Sequence, residues 1–141
     1  MVKATPDQVV NGTTPTGGLS GASGDYNFGI NSRDNVICFE ITLYDFRGNY
    51  QSPAITATHI HEAAKGASGP PRIAFPNPAG DDYVGKSSGC LTGPFNTGVM
   101  ANGVDTGANF HVSAIERNPA AFFADVHSSL AVSGAVRGQL A

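Results

Sequence analysis

His59 and His61 flank a single isoleucine in the run Thr56-Ala57-Thr58-His59-Ile60-His61-Glu62. Polar and apolar residues alternate here as in a half-buried strand, where positions two apart share a face. The two imidazoles therefore project together, and Ile60 points the other way, towards a core. A pair at that spacing binds one copper or zinc ion when a further ligand arrives from elsewhere. The best further ligand is His127, which ends Phe122-Phe123-Ala124-Asp125-Val126-His127. In this second strand-like run Phe122, Ala124 and Val126 form one face, and Phe123, Asp125 and His127 the other. Metal binding requires the two strands to bring their imidazole nitrogens to within about 2.0–2.1 Å of one ion.

Other residues stand near these two runs. Asp125 shares the face of His127, so it could orient a ligand imidazole or bind the metal itself; its plainer role is a strand-surface salt bridge. His111, in Asn109-Phe110-His111-Val112, could reach the site from a loop as a fourth ligand, or be a solvated loop residue. Glu62 follows His61 on the opposite strand face, which assigns it to the surroundings of the site rather than to the ligands. Arg137 falls opposite Asp125 if the last two strands form a hairpin that sets His127 opposite Ala135. A cross-strand ion pair then results, and the same cation beside a metal would attract a small anion. Other chemistries lack support. Ser128-Ser129 beside His127 has no Gly-x-Ser-x-Gly elbow. The glycine-rich runs lack the lysine and strand-to-helix setting of a phosphate loop, and no Cys-x-x-Cys is present.

The elements that must position these side chains read as short strands. Asp25 to Asn31 alternates with apolar members at 26, 28 and 30. Val36 to Phe46 is the strongest strand, with Ile37, Phe39, Ile41 and Leu43 on one face and Cys38, Glu40 and Thr42 on the other. The short link between the two predicts an antiparallel hairpin. A Gly/Pro loop, Ala63 to Pro71, follows the His-x-His strand, and Arg72 to Phe75 is a further strand. A long glycine-rich connection carrying Cys90 runs on to Met100. Ser113-x-x-Glu116 offers a capping box for one short helix over 113–118, which Pro119 ends. Phe122 to His127 and Ala135 to Leu140 close the chain. Residues 1–24 read as a flexible lead-in with an edge strand at Gln8 to Val10, and residues 25–141 as a single domain. The fold class is all-β, an antiparallel immunoglobulin-like or Greek-key β-sandwich.

Composition narrows the setting. The chain has 141 residues, a net charge of -3 and only 13% charged residues, with 18 glycines. There is no basic footprint for nucleic acid and no apolar run near the roughly 18 residues of a membrane span. Asn11-Gly12-Thr13 is an N-glycosylation sequon at Asn11. Cys38 and Cys90 could form one disulfide, which needs an oxidising compartment, or remain two buried thiols. Met1 to Pro6 lacks the apolar stretch of a signal peptide. The expectation is a secreted protein whose signal has been removed.

Four ordered segments, Ala57-Thr58-His59-Ile60-His61, Gly66-Ala67-Ser68-Gly69-Pro70-Pro71, Ala124-Asp125-Val126-His127 and Gly134 to Leu140, resemble the chordin-domain (CHRD) family, and in particular its small fungal secreted members. The resemblance implies an immunoglobulin-like sandwich related to the copper/zinc superoxide dismutases. His59-Ile60-His61-Glu62 is similar to the copper-binding His-x-His-Glu of those enzymes, and His127 to their later strand histidine. Arg137 resembles their active-site arginine in lying near the C-terminal end. The chain also departs from them. No cluster of histidines and an aspartate follows His61, so a separate zinc site is not expected, and Cys38 and Cys90 do not correspond to their disulfide. The expected protein binds copper, with zinc as the alternative, through His59, His61 and His127. It could act on superoxide or another small anion. The alternatives are a non-catalytic cell-wall or matrix module and a carrier that captures or delivers copper.

Overall fold

Ile37, Phe39, Ile41 and Leu43 occupy one face of a nine-residue strand and are each 4% exposed or less. That face is half of the core. The computed structural model describes residues 1–141 and forms two packed antiparallel sheets. The first contains β1 (Val2–Ala4), β2 (Ser23–Asn31), β3 (Val36–Tyr44), β6 (Ala79–Gly80) and β7 (Val84–Thr92), in the order β1-β2-β3-β7-β6. The second contains β4 (Thr58–Glu62), β5 (Pro71–Phe75), β8 (Phe122–Ser128) and β9 (Ala131–Gln139), in the order β9-β8-β4-β5. A five-residue helix, α1 (Ser113–Arg117), precedes β8. No helix is long and apolar enough to cross a membrane.

The expected hairpin forms, with Asn31 opposite Val36 and Asp25 opposite Thr42. Ile60, Ile73, Phe75, Ala124, Val126 and Val136 supply the other half of the core from the second sheet. Phe75 ties the halves together, its ring centroid 4.9 Å from that of Phe39 and 5.5 Å from that of Phe28. Burying such side chains contributes about 1.5–3 kcal/mol each, and it is this face that sends the intervening residues of β4 and β8 outwards.

Several boundaries differ from the sequence reading. The stretch after Phe75, read as a long connection, contains β7, which pairs with β3 along its whole length. Its segment Gly85-Lys86-Ser87-Ser88-Gly89 carries no apolar face, so periodicity is silent there; backbone pairing with β3 holds it. That pairing sets Cys38 opposite Cys90, and the two form a disulfide with Cα atoms 3.9 Å apart. The capping box does not form. Ser113 is the first helical residue, Val112 takes the cap position, and the Ser113 N–H donates to His111 Nδ1 at 3.1 Å. β9 begins at Ala131, four residues before the expected start.

The first residues pack into the sandwich. Val2–Ala4 pairs with β2, a two-residue ribbon joins Val10–Asn11 to Thr14–Pro15, and Ala4, Val9, Leu19 and Ala22 are buried. Thr5 exchanges backbone hydrogen bonds with Arg137 of β9, at 3.0 and 3.1 Å, linking the two sheets along one side. Gly138 permits this approach, since a Cβ there would lie 2.6 Å from the Lys3 carbonyl oxygen.

Candidate metal centre

β4 and β8 lie side by side with His59 opposite Asp125 and His61 opposite Phe123. Because Ile60, Ala124 and Val126 face the core, these four residues share the outer face of the second sheet. His127 joins them at a β-bulge, where the β8–β9 register shifts between Val126 and Ser128. The expected opposition of His127 and Ala135 therefore does not occur. An extra residue in one strand bends the strand and re-aims its side chain, and here it brings His127 Nδ1 to 2.9 Å from the Val132 carbonyl.

One nitrogen of each imidazole is fixed by a backbone carbonyl. His59 Nε2 lies 2.6 Å from the Thr56 oxygen, His61 Nδ1 lies 2.9 Å from that of Gly69, and His127 Nδ1 holds to Val132. A carbonyl only accepts, so these nitrogens carry the protons. The other nitrogens, His59 Nδ1, His61 Nε2 and His127 Nε2, then present lone pairs to one another and to Asp125. Asp125 Oδ1 is 3.5 Å from His59 Nδ1 and 3.3 Å from His61 Nε2, and Oδ2 is 3.0 Å from His127 Nε2. His59 Nδ1 and His61 Nε2 are 3.2 Å apart.

Lone pairs facing one another at these distances need a positive charge between them. Asp125 is 3% exposed and His59 1%, and Asp125 Oδ1 has no hydrogen-bond donor. Burial opposes the His127 cation, but the Asp125 carboxylate, its hydrogen bond and the Val132 carbonyl outweigh burial and push His127 up to about 9. Burial likewise favours the neutral Asp125; the facing His127 and His61 and the hydrogen bond from His127 prevail and hold the carboxyl well below the usual range. A proton on His127 thus supplies part of the missing charge, and a metal ion could supply all of it. Four tetrahedral donors about 2.05 Å from an ion stand about 3.3–3.4 Å from one another. The 3.2 Å between His59 and His61 and the 3.3 and 3.5 Å from these to Asp125 Oδ1 lie close to that spacing, while His127 is nearest the other carboxylate oxygen, Oδ2, at 3.0 Å. All the candidate donor atoms lie within 4.8 Å of one another. The donor set suits a metal ion, and His59, His61, Asp125 and His127 could hold one.

The remaining candidates lie elsewhere or act differently. His111 is exposed and lines a separate groove with Glu62, Arg72 and Arg117. The structure does not bring it to the cluster. Glu62 accepts from Arg72 Nε at 2.8 Å and has no contact with the imidazoles. Arg137 is opposite Asp125 in the ladder as expected, yet the ion pair is not made. Its guanidinium is turned to the Ala64 and Ala67 carbonyls, at 2.9 and 2.7 Å, over the Phe123 ring. Sequence reasoning missed Thr56, Gly69 and Val132, whose carbonyls fix the tautomers; a backbone acceptor leaves no trace in residue type. It left open whether Asp125 stands among the donors. The repeat of His59-x-His61 by Asp125-x-His127, on strands that become neighbours, is the signal that favours it.

A cleft of about 180 Å³ opens over His61, Asp125 and His127, walled by Val10, Asn11, Ser68, Ser133 and Arg137. No curated protein and no solved structure matches the chain. The ordered motifs around the cluster extend over nearly the whole sequence: a family model described as the CHRD domain matches residues 2–140, and the chain belongs to that family.

Proposed function

We propose that this is a secreted metal-binding protein in which His59, His61, His127 and Asp125 hold one divalent transition metal beneath a cleft for small ligands. The observation that carries this reading is the set of three imidazoles, each pinned by a carbonyl on its outer nitrogen and turned inwards upon a buried carboxylate. Such outer partners fix ring orientation and raise ligand basicity. Copper is the first choice, because imidazole-rich donor sets suit it, and zinc is the second. The Cys38–Cys90 disulfide supports an oxidising compartment. Asn11 lies in a sequon and is exposed at the cleft rim, which supports a glycan there if the protein is secreted.

Copper bound here would supply one-electron chemistry to a small anion such as superoxide. The chain contributes the rest. The cleft limits the ligand to a few atoms, Arg137 adds positive charge to its wall, and His61 and His127 lie on its floor. A second reading follows from Asp125, since four protein donors make a closed set of the kind that structural zinc occupies. In that case the protein is a non-catalytic matrix module.

Metal analysis of the purified protein, with electron paramagnetic resonance of the Cu(II) form and a superoxide assay, separates these readings. Stoichiometric Cu(II) binding that is lost in His127→Ala, together with superoxide turnover, supports the redox role. Binding that exchanges with a chelator, without turnover, assigns copper capture or delivery. Retained zinc and no turnover assign the structural role, and no stoichiometric binding of either metal rejects the metal centre.

A further inference from the structure

Arg137 is 3% exposed although it carries a full charge, and its guanidinium is occupied on several sides. Nη1 donates to the Ala67 carbonyl at 2.7 Å, and Nη2 to the Ala64 carbonyl at 2.9 Å and to Gln139 Oε1 at 3.1 Å. Gln139 Nε2 in turn donates to the Ala63 carbonyl at 2.7 Å. Together they clamp the loop that follows β4, four of whose residues are Ala63, Ala64, Ala67 and Gly69. This loop supplies the Gly69 carbonyl that accepts from His61 Nδ1. It is seated close, since a Cβ at Gly69 would collide with the Glu62 carbonyl. The central carbon of the same guanidinium lies over the Phe123 ring, 3.5 Å from its centroid. The Phe123 ring is stacked on the His61 imidazole, with centroids 4.9 Å apart and planes 2° from parallel.

We propose that Arg137 is a positioning residue for His61. It acts by two routes, through the loop that carries the tautomer-fixing carbonyl and through the ring against which the imidazole lies. This rests on the reading of the cluster as a metal centre, and it adds a role distinct from attraction of an anion. A planar fork of donors is needed to hold two carbonyls and still stack on a ring. A lysine keeps the charge and loses the fork.

The test compares wild-type protein with Arg137→Lys, following Zn(II) and Cu(II) affinity by competition with a chelator. The His61 tautomer is read in the metal-free protein from imidazole ¹⁵N chemical shifts, and thermal unfolding reports on folding. In folded Arg137→Lys the expected results are metal affinity about 10–100-fold weaker, the range for loss of an outer partner, and a mixture of His61 tautomers in place of Nδ1–H alone. A merely structural or charge-steering arginine would leave both unchanged, and that outcome overturns the proposal. Should Arg137→Lys fail to fold, Phe123→Leu tests the stacking route, and an unaltered His61 tautomer and affinity there overturn it. Should the wild type bind neither metal, the metal-centre reading falls, and the tautomer comparison still decides whether Arg137 positions His61.

Discussion

His59 and Asp125 sit directly opposite each other on adjacent antiparallel strands, with Nδ1 and Oδ1 3.5 Å apart and both side chains shielded from solvent. An ionised carboxylate in that place is expensive unless positive charge faces it. In the metal-free protein the His127 cation meets that need. Replacing Asp125 by Asn should therefore lower metal-free stability at pH 6 by roughly 3 kcal/mol, the lower end for breaking a buried pair. It should also return His127 towards the ordinary histidine range. Urea unfolding and an NMR titration of His127 check both; an unmoved His127 would contradict the pairing.

Stability of the metal-free protein should depend on pH in a defined direction. His127 is raised to about 9 when folded, against about 6.5 unfolded. Its contribution is thus fully present below about pH 6.5 and is lost as pH rises through 9. Asp125 is held low when folded, so its contribution is present above the ordinary carboxylate range, about 4, and is lost on further acidification. Urea midpoints measured with a chelator should be highest between about pH 4 and 6.5 and fall towards pH 9. A midpoint that climbs between pH 6.5 and 9 would show the sign to be wrong.

The disulfide and the cluster belong to different sheets. Removing the bridge with Cys38→Ser and Cys90→Ser frees a loop closed by residues 52 apart. On the chain-entropy account this costs about 4 kcal/mol. Metal affinity should stay within about twofold, as expected for well-separated sites. Chemical denaturation and chelator competition on the double variant measure the two effects independently.

His111→Ala should leave metal affinity unaltered and change stability by no more than about 0.5 kcal/mol, as surface substitutions do. His127→Ala should abolish tight binding. Equal losses in the two variants would mean that the loop reaches the cluster in the bound form.

The sequence revealed those parts of the fold in which side chains alternate between core and surface. Ile37 to Leu43 and Phe122 to Val126 obey that rule, and so does Ile60 between its two histidines. The Asp125–Arg137 register was legible because a strand repeats every two residues. The ion pair it suggested was not, because Arg137 finds two carbonyls on a loop distant in sequence. β7 was hidden for a related reason. Its polar and glycine residues pair through backbone atoms that every sequence shares. The bulge at His127 was equally silent, though it is what turns that ring to the cluster.

The Thr5–Arg137 hydrogen bonds have a consequence for assembly. Beyond β9 the second sheet would otherwise present unpaired amide and carbonyl groups, a template on which another polypeptide could add. The first few residues cover part of that border, with Thr5 paired to Arg137. Clipping them by a protease would bare the main chain of the very residue that braces His61, coupling self-association of the protein to the integrity of its histidine cluster.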